Sequence, residues 1–268
     1  MQTLSETVSD AVPLNALAPI AAARVADGRI LWAGPLILVV TSPVLFFTFQ
    51  AFLALVLLMI HRPSPWRAAG AWWNLYGTLV DIGCLLGLRC FTSKEGIRLR
   101  DLIGPIRMRL GRDVFLGLGY FVLVFPLFVG GGYLMQVLLW GSAAKAPIAY
   151  LMQAHSLPIW ATVYSLTIWW FISSPTEEAT FQGYALPRLQ ALTGRTWIAA
   201  SIVGVCWAVQ HSMLPFMPSW RFILYRFFAF LPGVVVMMVI YLRTRRLAPL
   251  ILAHWPMDIL GAIMTGLH

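Results

Sequence analysis

The sequence predicts an all-α, polytopic transmembrane bundle of about seven spans, within a range of six to eight. Three observations predict it. Hydrophobic residues make up 60% of the chain and charged residues only 11%, against roughly 25% charged in a soluble domain. Apolar runs of about 20 residues recur, long enough to cross a hydrocarbon core of roughly 30 Å as helices. The runs do not alternate apolar and polar positions, as the strands of a membrane barrel would.

The elements follow in order. Residues 1–28 are mixed and weakly polar, without the basic start and short apolar core of a cleavable signal, and read as an N-terminal polar tail. Ile30 to Ile60 is the first apolar run, with Pro35 and Pro43 placed to bend it. A second span runs from about Ala68 to Leu88. The strongly charged segment 89–113 comes next, with seven Lys/Arg against three acids, and reads as a loop carrying an amphipathic, surface-lying helix. Val114 to Trp140 is a third span, whose 130-GGG-132 permits close helix approach. Residues 29–154 thus form an N-terminal group of transmembrane helices around a basic loop. In residues 155–268 a fourth run begins near Leu157 and leads into Glu177 and Glu178. The fifth spans Trp197 to about Met213, the sixth Phe222 to Leu242 and the seventh Leu247 to Leu267.

The net charge of +9 does not point to nucleic acid, because no basic, aromatic-studded soluble domain exists to hold it. The cations read as topology instead. With the N-terminus placed on the cytoplasmic side, the inner segments hold 14 Lys/Arg and the outer loops four, the bias expected of positive-inside orientation. A cell membrane, of the bacterial inner-membrane kind, is the expected location. Cys84, Cys90 and Cys206 lie in or at the end of apolar runs without a CxxC pattern and read as buried thiols, against a disulfide framework or a zinc finger.

Ionisable side chains inside a membrane are costly and tend to be functional. Here they are Asp81, Glu177, Glu178, His211, Arg226, His254 and Asp258. Glu177 and Glu178 are adjacent, so on a helix they point about 100° apart and cannot do the same job. Trp207 and His211 stand four apart, on one helix face, as do His254 and Asp258 with Pro256 between them. Each piece has a plainer reading. The glutamates could be solvated acids at a helix start after Pro175, His211 could sit at the wet end of a span, and His254 with Asp258 could close the bundle structurally. Together, carboxylates and imidazoles on three helices are what water activation needs. One group takes a proton from water and others stabilise an oxyanion.

At these residues the chain resembles the CPBP intramembrane proteases, the group of CAAX prenyl endopeptidases, bacteriocin-processing and Abi-type membrane proteins. Their order of EE-x3-R, F-x3-H and H-x3-N reads here as Glu177-Glu178-x3-Gln182, Trp207-x3-His211 and His254-x3-Asp258, within residues 155–268. Three positions depart. Gln182 stands for Arg, Trp207 for Phe and Asp258 for Asn. Arg188, further along the same segment, is a candidate replacement for the missing cation. The resemblance implies an endopeptidase acting on a membrane-associated, prenylated or precursor peptide. It implies Glu177 as general base on a water, His211 as its partner, and His254 with Asp258 as oxyanion stabiliser. An ionised Asp258 cannot donate, so it would act through His254, keeping the imidazole protonated; Glu178 would be supporting. The expected partners are membrane lipid and a peptide or protein substrate. No cofactor is favoured; zinc held by Glu177, His211 and His254 is the alternative, with Glu178 then the base. Two other readings stay open, a non-catalytic immunity or scaffold protein on the same fold and a proton-coupled transporter using the acids as a relay.

Overall fold

The computed structural model describes residues 17–104, 109–148 and 157–266. Helix dominates throughout, and among the described residues no strand forms beyond an isolated bridge between Met213 and Phe216. An all-α membrane bundle is therefore what the chain forms. A backbone in lipid must satisfy its own hydrogen bonds, and helices do so within each segment.

The N-terminal half contains α1 (Leu17–Ala26), α2 (Ala33–Met59), α3 (Pro65–Gly70), α4 (Trp73–Lys94), α5 (Leu99–Ile103) and α6 (Leu110–Trp140). The C-terminal half opens with one interrupted helix. It runs through α7 (Ile159–Tyr164), a π-helical stretch Ser165–Trp169, α8 (Trp170–Glu178), a second π stretch Ala179–Ala185, and α9 (Leu186–Thr193). Then come α10 (Thr196–Ser212), α11 (Trp220–Thr244) and α12 (Ala248–Gly266).

Among the described residues four helices are long and apolar enough to cross a membrane: α2, α4, α6 and α11. The fourth expected span is the interrupted helix. The fifth and seventh are the shorter α10, of 17 residues, and α12, of 19. Large apolar side chains such as Phe115, Val122 and Leu138 on α6 point outward, as suits a surface in contact with lipid. Buried Asp113, Gly117, Val124 and Gly132 mark the inward stripe of the same helix, at the three- and four-residue spacing of one helical face.

Two sequence expectations need correction. Residues 17–26, read as part of a tail, form α1, which packs on α9. Ala21 is buried there, and Arg24 reaches Glu95 at 3.5 Å; the apolar face and the ion pair together hold the segment down. Residues 1–16 of that tail lie outside the described residues. The basic segment 89–113 is not one surface helix either. Its start completes α4, its end begins α6, and between them α5 is five residues long. A capping box explains where α5 begins, since the Asp101 carboxylate accepts from the Arg98 backbone N–H at 2.8 Å.

The core lies where α6, α11 and α12 pack together, with α10 and the second π stretch against them. At Gly131 of α6 an added Cβ would stand 2.8 Å from the Ala229 carbonyl oxygen of α11. Only glycine lets the two backbones approach so closely. Gly130, by contrast, faces open space.

Candidate active site

The two adjacent glutamates end α8. Pro175 lies within that helix, and the π stretch begins at the next residue, Ala179. Proline removes a backbone donor and a π turn resets the helical register, so the acids sit where the helix is least regular. Their side chains diverge. Glu177 faces an internal cavity and accepts from the Trp207 indole N–H at 2.9 Å through Oε2. Glu178 is fully buried behind it, with Oε1 3.1 Å from His254 Nδ1. Its Oε2 has no hydrogen-bond partner among the described residues.

Trp207 is fixed by a stacked contact with Phe181 from the π stretch, centroids 5.2 Å apart and planes at 7°. One turn on, His211 Nδ1 lies 2.9 Å from the Trp207 carbonyl oxygen. A carbonyl only accepts, so Nδ1 carries the proton, and in a neutral ring the lone pair is on Nε2. Phe230 of α11 stacks on the ring at 4.0 Å. Arg226, one turn before Phe230, donates from Nε to the His211 carbonyl at 2.9 Å and from Nη2 to that of Leu214 at 2.7 Å. It thereby holds the end of α10, where carbonyls lack partners within the helix.

His254 and Asp258 come from α12, which runs through Pro256. His254 stands between two carboxylates, Glu178 at Nδ1 and Asp258 at Nε2, the latter at 3.5 Å. That second distance is long for a hydrogen bond. Asp258 is fixed instead by Ser174, whose hydroxyl donates to Oδ2 at 2.6 Å.

Glu177, His211, His254 and Asp258 therefore line one cavity of about 430 Å³, together with Trp207 and Arg226. The rest of the wall is mostly apolar, and much of it comes from α6, including Phe125, Phe128, Val129 and Tyr133. Glu178 does not reach the cavity and acts on it only through His254. Arg188 does not reach it at all. Fully buried, it donates to Glu95 from Nε at 3.3 Å and Nη2 at 2.7 Å, and lies 4.2 Å over the Tyr184 ring. It cannot supply Glu177 with the cation that Gln182 lacks, because α9 carries it toward α4 and α1. Gln182 is buried with neither amide atom hydrogen-bonded among the described residues.

Sequence reasoning left Ser174, Phe230 and the α6 wall out of the site. Ser174 lay in the quoted Glu-Glu segment but has no spacing relation to Asp258. Phe230 and the wall residues are ordinary members of apolar runs. Arg226 stood out as an intramembrane cation, yet nothing in its spacing tied it to His211.

Among the described residues no three His, Cys, Asp or Glu side chains converge as a ligand set.

An interrupted helix, buried acids and two imidazoles around a largely apolar chamber define a helical membrane protein with ionisable groups at its centre. The comparisons place it more closely. Residues 158–260 match the family described as type II CAAX prenyl endopeptidase Rce1-like, which bears out the resemblance to the CPBP proteases and supports an intramembrane protease kind of function. Searches of curated proteins and of solved structures find no match.

Proposed function

We propose that the protein is an intramembrane endopeptidase that cuts a membrane-associated peptide with a water activated by Glu177. The observation that carries this is the convergence of Glu177, His211, His254 and Asp258 on one apolar cavity. Glu177 commits Oε2 to Trp207, which leaves Oε1 to take a proton from water. His211 Nε2, unprotonated in the neutral ring, accepts the water's second hydrogen and orients it. With Glu178 and Asp258 ionised, both nitrogens of His254 carry protons. The loosely held Nε2–H is the one placed to turn toward an oxyanion as the scissile carbonyl is attacked. Glu178 grips the far side of the ring and keeps it oriented. The proton taken by Glu177 then passes to the leaving amine.

Apolar walls favour a lipid-modified or hydrophobic peptide, and the family match adds the prenylated CAAX tail as first candidate. The basic bias of the loops supports a cytoplasmic N-terminus. The test is cleavage of a fluorogenic prenylated CAAX peptide by the purified chain in proteoliposomes, beside Glu177→Gln. Wild-type turnover with a loss of at least roughly 100-fold in the variant is expected. Equal rates would sink the reading. Gln182 supports a second reading, a non-catalytic scaffold on the same fold, because its buried amide has no hydrogen-bond partner among the described residues where the family carries Arg. That reading predicts no cleavage by the wild type either.

A further inference from the structure

Arg226 is 6% exposed and lines the cavity. Arg188, the other cation buried as deeply among the described residues, pairs with Glu95, and the partly buried Arg246 pairs with Asp113. Arg226 has none among the described residues. Its two acceptors, the carbonyls of His211 and Leu214, satisfy hydrogen-bond geometry but do not neutralise charge. Of its five N–H groups, three remain without a protein acceptor among the described residues. Beside it Tyr225 also lines the cavity. The Tyr225 hydroxyl accepts a long bond from Gln136 at 3.5 Å, and its own proton has no acceptor there.

A desolvated, uncompensated cation costs several kcal/mol and is rare inside a membrane without a role. This one turns spare donors, with a second donor next to it, into the chamber that holds Glu177. We propose that Arg226, with the Tyr225 hydroxyl, binds the C-terminal carboxylate of a peptide drawn into the cavity. The planar guanidinium matches a carboxylate in charge and shape. A free C-terminus is also the one negative group that every peptide carries whatever its sequence. This inference rests on the peptidase reading. A chain of direct contacts joins the two places: Glu177 to Trp207, Trp207 to His211, His211 to Phe230, and Phe230 to Arg226 at 4.6 Å. Holding the chain end at Arg226 would make the cut fall at a set distance from it.

The test uses binding, so that it does not depend on turnover. The full-length Glu177→Gln protein in detergent is titrated against a fluorescent prenylated CAAX peptide with a free C-terminal carboxylate, and against the same peptide ending in an amide. The acid is expected to bind about 10- to 100-fold tighter, the scale of a charge-assisted hydrogen bond. Adding Arg226→Gln should bring the ratio close to one, and adding Tyr225→Phe should lower it several-fold. Because Arg226 also holds the end of α10, Arg226→Lys serves if the Gln variant does not fold; keeping charge without the fork, it should lower the ratio as well. Equal binding of acid and amide overturns the proposal. So does a preference that survives both Tyr225→Phe and the Arg226 variant. A wild type that cuts neither peptide, while the binding preference holds, defeats the peptidase reading alone.

Discussion

Glu177 and Glu178 are neighbours with opposite surroundings, and their substitutions should separate accordingly. Glu178→Gln keeps a carbonyl oxygen that can accept from His254 Nδ1, so turnover should fall only several-fold, well short of the loss in Glu177→Gln. Glu178→Ala leaves a buried imidazole donor unmet and should lower stability by about 1–3 kcal/mol, read as an earlier thermal transition in detergent. If Glu178→Gln is dead and Glu177→Gln active, the base is the other glutamate. Asp258 gives a second contrast. Asp258→Asn still accepts the Ser174 hydroxyl through its amide oxygen and can donate from its nitrogen, so it should retain most activity. Asp258→Ala supplies neither and should be nearly inactive, by roughly 100-fold or more. Full activity in the alanine variant, measured on one peptide, would reduce Asp258 to a packing residue.

At the scale of the element, close approach of α6 and α11 rests on one glycine of three. Gly131→Ala places a methyl against the Ala229 carbonyl and should cost about 1–3 kcal/mol. Gly130→Ala meets nothing and should be neutral or gain up to about 1 kcal/mol from helix propensity. Melting both variants in the same detergent checks the contrast. The GGG run was legible in the sequence; which glycine touches a neighbour was not, since that depends on helix rotation. The same limit explains the rest of what could be read. Apolar length marked α2, α4, α6 and α11 closely. The interrupted helix from 159 to 193 looked like one span, because π stretches leave no compositional mark. Within the site, pairs on one helix four residues apart were visible, as in Trp207 with His211 and His254 with Asp258. Partners from separate helices were not, as in Trp207 with Glu177, Ser174 with Asp258, and Glu178 with His254. Spacing encodes contacts within a helix, whereas contacts between helices are settled by packing.

For the whole molecule, the two halves are bolted together by buried and partly buried ion pairs away from the cavity. Glu95 at the end of α4 takes both Arg188 of α9 and Arg24 of α1, and Asp113 at the start of α6 takes Arg246 ahead of α12. Breaking such a pair costs more than replacing it. Glu95→Gln should therefore destabilise the fold by about 3–5 kcal/mol through the stranded Arg188, while Glu95→Met with Arg188→Met should recover much of that loss. Thermal unfolding of the single and double variants decides, and equal damage in both would mean the pair contributes favourably in itself.

The α6 wall has a consequence for how such a protein can change. The candidate site residues all sit within residues 158–260, but a large part of the cavity wall is made by a helix outside them. The matched stretch on its own lacks that wall, and on the proposed reading it should process nothing when expressed alone. Phe125, Phe128, Val129 and Tyr133 can be exchanged to admit a different guest while every proton-handling group stays where it is. On the proposed reading, a change of guest is expected to show first in a helix that supplies none of the ionisable groups.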